Sequence, residues 1–485
     1  MAAVRFGNSS DELRSGRESF SSNPPCFPSN GGYNRRSFPK EQTMTYPKTF
    51  LAIAAGALMG LTADVSADNW ANWRGPNHDG SAKARNLPAD FGQSKSVVWS
   101  TELPGNAAAT PIIWENTIFI SSADEDKGTL NAMAINRKNG KVLWNKVVRK
   151  GDLYIDNRSN FASPSPTTDG KRVVYFYGNG DLVGFDFKGQ KLWSRNIQKD
   201  YGDFAFQWTF SSSPLLHKGT LYLQVLQRDT PVRGRGNQNG KSFLLAMNPD
   251  TGKTLWQHVR PSKAAAESLE AFSTPVPFTH NGREELIVVG GDCLTGHDPK
   301  GGKELWRWGT WNPTRIGHWR LVPSPVVGQG VILACAPKGA PVYAVKAGGK
   351  GTLGDSALQW TSQSNRNVTT DVPTPLFYDN DFFVLSDTRR DNFISRVDPK
   401  TGNVKWATEV PNNRKKWRAS PLGADGKIYL MDHGANVVVL DAKSGKILSK
   451  IAMGKSADNY TRSSIVAVDE QLFVRTNWKL FCIAK

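Results

Sequence analysis

Short apolar runs, rich in Val, Ile and Leu and broken by glycine-bearing polar turns, recur from about residue 91 to the end of the chain. One unit shows the plan. Ala419–Leu422 opens a strand and Gly426 turns it. Lys427–Met431 then reads as a second strand and Asn436–Asp441 as a third, and Ser444 with Gly445 turns the chain into Ile447–Ile451. Runs this short and this β-branched predict strands buried between neighbouring sheets. Glycine supplies the positive φ that each tight hairpin needs. No stretch in this region has the period of a helical domain.

The turn before each outermost strand follows a loose D-x-x-T-G-K-x-x-W pattern, clearest around Gly252, Lys253 and Trp256 and from Asp398 through Gly402 to Trp406. Tryptophan recurs at 99, 144, 193, 256, 306, 360 and 406, and Ser449 stands where the next indole would fall. The spacing is about fifty residues, the length of a four-stranded propeller blade. One blade cannot cover its own faces, so Trp99, Trp144, Trp193, Trp256, Trp306, Trp360 and Trp406 are expected to wedge between successive sheets rather than bind a ligand. Strand openers keep the same beat: Thr110-Pro111, Ser163-Pro164, Ser213-Pro214, Thr274-Pro275, Ser324-Pro325, Thr374-Pro375, Ser420-Pro421 and Ser464-Ile465. The last copy stops at Phe481–Lys485, short of a fourth strand, while Val97–Trp99 stands alone ahead of the first copy. Pairing the two removes both open edges. The expected fold is therefore all-β: an eight-bladed β-propeller over residues 91–485, closed by an N-terminal strand. Seven blades is the alternative if the fourth and fifth are misparsed.

The first 67 residues differ. Ser, Asn, Pro and Gly dominate residues 1–43, which read as a disordered extension or a misassigned start, with Met44 the true one. Residues 44–67 read as a signal peptide: Lys48, the apolar run Phe50–Leu61, then a small-residue cleavage site ending at Ala67. The run is too short for a membrane span. Asn34–Lys40 carries paired arginines like a twin-arginine export signal, but it lies far from the apolar run. Residues 68–90 form a non-repeat lead-in. Export would place the protein in the periplasm or cell-envelope space.

From Asp68 onward 54 Lys and Arg face 38 Asp and Glu, so the folded part is cationic. That suits an anionic small molecule, a polysaccharide or a partner protein. Export and the lack of any recognition motif argue against nucleic acid. Three cysteines remain, Cys293, Cys335 and Cys482. A bridge between Cys293 and Cys335 is conceivable, but two buried thiols fit better.

These repeats resemble the pyrroloquinoline-quinone-like β-propellers, whose blades share the tryptophan-docking turn. The opening from Trp70 through Trp73, Arg74, Gly75, Pro76, Asn77 and Gly80 to Leu87-Pro88 is similar to that of exported members of the planctomycete type. The resemblance implies one of three functions. A quinoprotein dehydrogenase would hold the quinone with calcium and a vicinal disulfide, yet no Cys-Cys pair occurs. An outer-membrane assembly scaffold of this kind carries a lipidated cysteine, and none follows the apolar run. A kinase-linked member would show H-R-D and D-F-G, which are absent.

No H-E-x-x-H and no G-x-S-x-G occurs either, and the seven histidines are scattered. Carboxylates acting from different blades would leave no local spacing, so catalysis is not legible here. The residues just before each opener should line the channel mouth: Asn160, Trp208, Arg320, Asp371, Trp417, Arg418 and Arg462. Aromatics beside arginines suit a planar or sugar-like anion. The Arg- and Gly-rich insertion Arg228–Gly240 is expected beside them as a mobile cationic flap. The sequence thus reads as a binding or scaffold protein without recognisable catalysis. A quinone-dependent oxidoreductase is the alternative, and a polysaccharide hydrolase or lyase the third choice.

Overall fold

A computed structural model of the chain describes residues 69–485, apart from 154–159, 310, 364, 388–391, 412–415, 456, 457 and 459. The expectations for residues 1–43 and 44–67 lie outside the described residues. Eight antiparallel sheets follow one another along the chain. Blade 1 comprises Ile112–Trp114, Thr117–Asp124, Thr129–Asn136 and Val142–Lys150, paired in that order. Blades 2 to 7 repeat the plan. Blade 8 takes Val466–Val468, Gln471–Arg475 and Lys479–Ile483, and borrows Val97–Glu102 as its fourth strand. Trp99 lies opposite Cys482 and Glu102 opposite Lys479, so the ring closes as the sequence requires.

The openers explain why Ser or Thr recurs. Each opener's backbone N–H donates to the hydroxyl of the next blade's opener. The series runs Thr110 to Ser165 (2.9 Å), Ser165 to Ser213 (3.0 Å), Ser213 to Thr274 (3.0 Å) and Thr274 to Ser324 (2.8 Å). It continues Ser324 to Thr374 (3.0 Å), Thr374 to Ser420 (3.0 Å), Ser420 to Ser464 (3.1 Å) and Ser464 to Thr110 (3.1 Å). Eight bonds thus form a closed belt around the axis. A first strand has no neighbour in its own sheet on the channel side, so its buried N–H needs a side-chain acceptor. The following proline has no N–H to satisfy. In blade 2 the belt residue is Ser165, not Ser163. Two Ser-Pro pairs stand in series there, and the Ser163 hydroxyl instead donates to the Asn160 carbonyl at 2.6 Å.

Six indoles dock as expected. The N–H groups of Trp99, Trp144, Trp193, Trp256, Trp360 and Trp406 donate to the carbonyls of Arg137, Phe187, Pro249, Pro299, Pro399 and Ala442, each in the turn of the next blade. Gly252 shows why the turn needs glycine. Its φ is +69°, and a Cβ there would come within 2.5 Å of the Trp193 ring.

Trp306 departs from the pattern. It is buried, but its N–H donates to the Glu285 carboxylate at 2.5 Å. The blade 5 turn that it would meet is lengthened. Gly351–Leu353 leaves that turn and pairs in parallel with Trp306–Trp308. Ser449 keeps a docking role without an indole, its hydroxyl donating to the Ala89 carbonyl.

Ala89 belongs to the lead-in, which is integral to the ring. Trp70 pairs with Ile113 of blade 1 and Ser81 with Gly423 of blade 7. Between them, the Ala71 carbonyl accepts from Thr168 of blade 2 and the Asp79 carbonyl from Phe377 of blade 6. The segment therefore crosses the channel beside the first hairpins and closes that end. Arg74 is buried at its centre and donates to the opener carbonyls Pro421 (2.8 Å) and Pro375 (3.0 Å) and to Asp79 O (3.1 Å). A Cβ on Gly80 would lie 1.9 Å from the Arg74 guanidinium.

Cys293, Cys335 and Cys482 are free buried thiols, so no bridge joins Cys293 to Cys335. No helix among the described residues is long and apolar enough to cross a membrane.

Candidate functional site at the channel mouth

With one end closed by the lead-in, the other end is framed by the segments entering each first strand and by the turns between second and third strands. The segments entering blades 5, 6 and 7 bring Arg320, Asp371 and Arg418 together. Asp371 accepts from Arg418 at 2.9 Å and from Arg320 at 3.4 Å, and also from the Lys338 backbone N–H at 3.1 Å. Arg418 reaches the Asp387 carboxylate at 2.7 Å, and Arg320 lies 3.8 Å from Glu267. Glu267 in turn accepts from the Trp208 indole N–H at 3.0 Å. One chain of charge thus runs Trp208, Glu267, Arg320, Asp371, Arg418, Asp387 across blades 3 to 7.

The insertion in blade 3 completes the arc, and it is tied down rather than free. Arg228 pairs with buried Glu270 and donates to the Gln207 side-chain oxygen at 2.7 Å. Arg235 donates to the Gln207 carbonyl at 3.1 Å, and the Arg233 guanidinium lies 4.8 Å from the centre of the Trp208 ring.

Electrostatics differ along this chain. Burial works against the Asp371 charge, yet Arg320 and Arg418 hold its carboxyl below the usual range. Burial pushes Glu270 up to about 7, the Arg228 pair offsetting only part of the cost. Asp387 also rises to about 7, because burial and the nearby Asp371 charge outweigh Arg418. The Lys338 ammonium is depressed by burial first and by the Arg320 charge second. It forms no ion pair among the described residues. The Lys338 charge therefore stands near that of Arg320, next to the carboxylate that Arg320 shares with Arg418.

Three of the residues expected at the mouth take other contacts than this chain of charge. Trp417 is fully buried in the core between blades and donates to the Pro411 carbonyl at 3.2 Å. Asn160 is buried and braces the start of blade 2 by donating to the Asn106 carbonyl at 3.0 Å. Arg462 lies over the exposed Tyr460 ring, 5.5 Å from its centre. Lys338, Asp387 and Glu267 were not singled out from sequence. Lys338 and Asp387 follow second strands, and Glu267 sits in the one-turn helix Ala266–Leu269. Reading the segment after each second strand, besides the residues before each opener, would have found the first two.

The repeat-family model described as outer membrane protein assembly factor BamB matches residues 91–224, 203–361 and 345–485. The chain belongs to this family. Among solved structures, BamB from Moraxella catarrhalis is similar with a TM-score of 0.54 at 12% identity, over 80% of this chain and 99% of that one. The quinohemoprotein alcohol dehydrogenase from Comamonas testosteroni gives 0.60 at 12% identity, over 86% and 80%. A europium-containing methanol dehydrogenase gives 0.62 at 10% identity, over 86% and 98%. At such identities the likeness concerns the fold alone. A curated relative, the tetrathionate hydrolase of Acidithiobacillus ferrooxidans, is 26% identical over 302 residues, which is 58% of this chain and 53% of that protein. The chain thus spans about half the length of the curated relative it matches.

The dehydrogenase neighbours raise the question of a quinone held by calcium. A calcium ion takes six to eight oxygen donors, carboxylates foremost. Among the described residues no group of three or more His, Cys, Asp and Glu could hold a metal ion. The mouth carboxylates Glu270, Asp371 and Asp387 are already held by guanidinium groups, and the Trp417 face is buried. The donor set does not fit that cofactor.

Proposed function

We propose that the protein is an exported, non-catalytic binding or scaffold protein that receives an anionic ligand at the mouth between blades 5 and 7. The ligand class is a small anion or an acidic segment of a polysaccharide or partner protein. The observation that carries the reading is the pairing of Arg320 and Lys338 beside Asp371. Arg320 already shares Asp371 with Arg418, while the Lys338 ammonium beside it has no ion-pair partner among the described residues, in a partly desolvated setting where an added anion gains most. The ion pairs also fix the guanidinium planes beforehand, so little side-chain entropy is lost on binding. The blocked far end of the channel leaves this mouth as the approach to the axis.

Retention on immobilised polygalacturonate, against neutral dextran, tests this reading. Wild-type protein should be retained at moderate salt. Arg320→Gln with Lys338→Gln should elute at distinctly lower salt while remaining folded. Equal retention of both proteins would overturn it.

A second reading places hydrolysis of a small anionic compound at the same mouth. It is favoured by the tetrathionate hydrolase relative together with Glu270 and Asp387, two carboxyls poised near neutrality for proton transfer. Loss of tetrathionate on incubation with the protein, abolished in Asp387→Asn, would move the assignment from binding to catalysis.

A further inference from the structure

Arg475 ends the second strand of blade 8, at the seam where the ring closes. Its side chain is fully buried. It crosses into blade 1, where Nη1 donates to the carbonyls of Ser121 (2.8 Å) and Ala109 (3.2 Å). Nε and Nη2 meet no acceptor among the described residues. Elsewhere in this protein the same two atoms grip a carboxylate from the side. Arg307 holds both oxygens of Glu304 through Nε and Nη2, at 2.8 Å each, and Arg149 holds Asp181 in the same way. At Arg475 no acid enters: burial alone lowers its pKa to about 9, with no carboxylate opposing the shift.

A guanidinium removed from water without a counter-charge is strongly disfavoured, and a fork of two parallel N–H donors is built for an anion. Register in blade 8 sets Val466 opposite Phe473, and Ser463 stands in the segment that enters the Val466 strand. The buried Ser463 hydroxyl also has no partner among the described residues. Fully enclosed donors favour a small ion over a polymer or a metabolite.

We propose that the Nε–Nη2 edge of Arg475 is an internal site for a small monovalent inorganic anion of the size of chloride or nitrate, bound at the blade 8–blade 1 seam. The site is distinct from the mouth: it lies in the wall between two blades, and its donors face no residue of the Arg320–Asp371 cluster. Because Arg475 also bridges the two blades through the carbonyls of Ala109 and Ser121, the anion should stabilise ring closure itself. Bound ion and closed ring are then linked, so stability depends on anion concentration.

The test is thermal unfolding of the full chain at constant ionic strength, replacing gluconate stepwise by chloride. The expected result is a saturable rise of the unfolding midpoint, by about 1–3 °C over a hundredfold change in chloride. Nitrate should act alike, and the response should vanish in Arg475→Met. Should that variant fail to fold, a bromide-soaked crystal of the wild type decides the matter: anomalous density within hydrogen-bonding distance of Nε and Nη2 supports the site. A wild-type midpoint indifferent to chloride and nitrate, or density for water alone at that edge, would overturn it.

Discussion

The backbone N–H of Ser464 donates to the hydroxyl of Thr110 at 3.1 Å, joining residues 354 positions apart. It is the last of eight such bonds, and it ties the seam at the channel axis while Val97–Glu102 ties it at the outer edge. Ring closure therefore rests on two devices at different radii. Thr110→Val keeps the shape and removes the acceptor, leaving a buried N–H unmet. Stability to urea should fall by about 1–3 kcal/mol with the slope unchanged. A variant as stable as wild type would show that the belt bond carries no net weight.

Trp306 and Glu285 form a second kind of wedge. Trp306→Phe fills much of the space but strands Glu285 Oε2 in the core, where Arg283 is the partner that remains among the described residues. A loss of about 1–3 kcal/mol is expected in chemical unfolding. The matching change at Trp406 strands no acceptor, since the Ala442 carbonyl that takes its N–H at 3.3 Å also accepts from Arg396 at 2.9 Å, and should cost less. Equal losses at the two positions would contradict the distinction.

Gly80 and Arg74 hold the floor of the channel. Gly80→Ala would drive a methyl into the guanidinium at a residue whose φ is +87°. The lead-in should loosen, with a cost of roughly 1–3 kcal/mol and faster proteolytic cutting before Phe91. Unaltered cleavage in this variant would mean that the lead-in does not depend on Arg74.

Glu270 makes stability depend on pH, with a definite sign. Its carboxyl titrates at about 7 when folded against an ordinary value of 4.5. Between those values the unfolded chain ionises first, so stability falls as pH rises through the window, and the full cost stands above it. Asp371 acts oppositely, since its folded value lies below the ordinary one. The stability it lends is present above that ordinary value and is lost at more acid pH. The urea midpoint of Glu270→Gln should therefore decline less than that of wild type between pH 4.5 and 7.5. Parallel profiles would refute the assignment, whatever the offset between them.

Much of this architecture was legible because a propeller writes its rules locally. A tryptophan above a glycine turn, and a hydroxyl ahead of a proline, repeat in sequence because each blade solves the same packing problem. Blade 2 misled the reading because Ser163-Pro164 and Ser165-Pro166 stand together, and only the belt shows which hydroxyl faces the next blade. The floor was illegible for a different reason. Arg74 finds its acceptors at Pro375 and Pro421, some three hundred residues away, and nothing local marks a guanidinium destined for backbone carbonyls. At the mouth, Arg320, Asp371 and Arg418 were readable from their place before an opener. Trp417 shares that place but turns into the core, because alternate residues of an extended segment face opposite ways.

Hydrogen exchange with and without a bound polyanion such as polygalacturonate tests the central claim most directly. Ligand at the closed-floor cup should slow exchange in segments 318–322, 336–340, 369–373 and 416–420, and leave residues 70–82 unchanged. Protection centred on the lead-in or along the outer strands, with those four segments unaffected, would contradict the account.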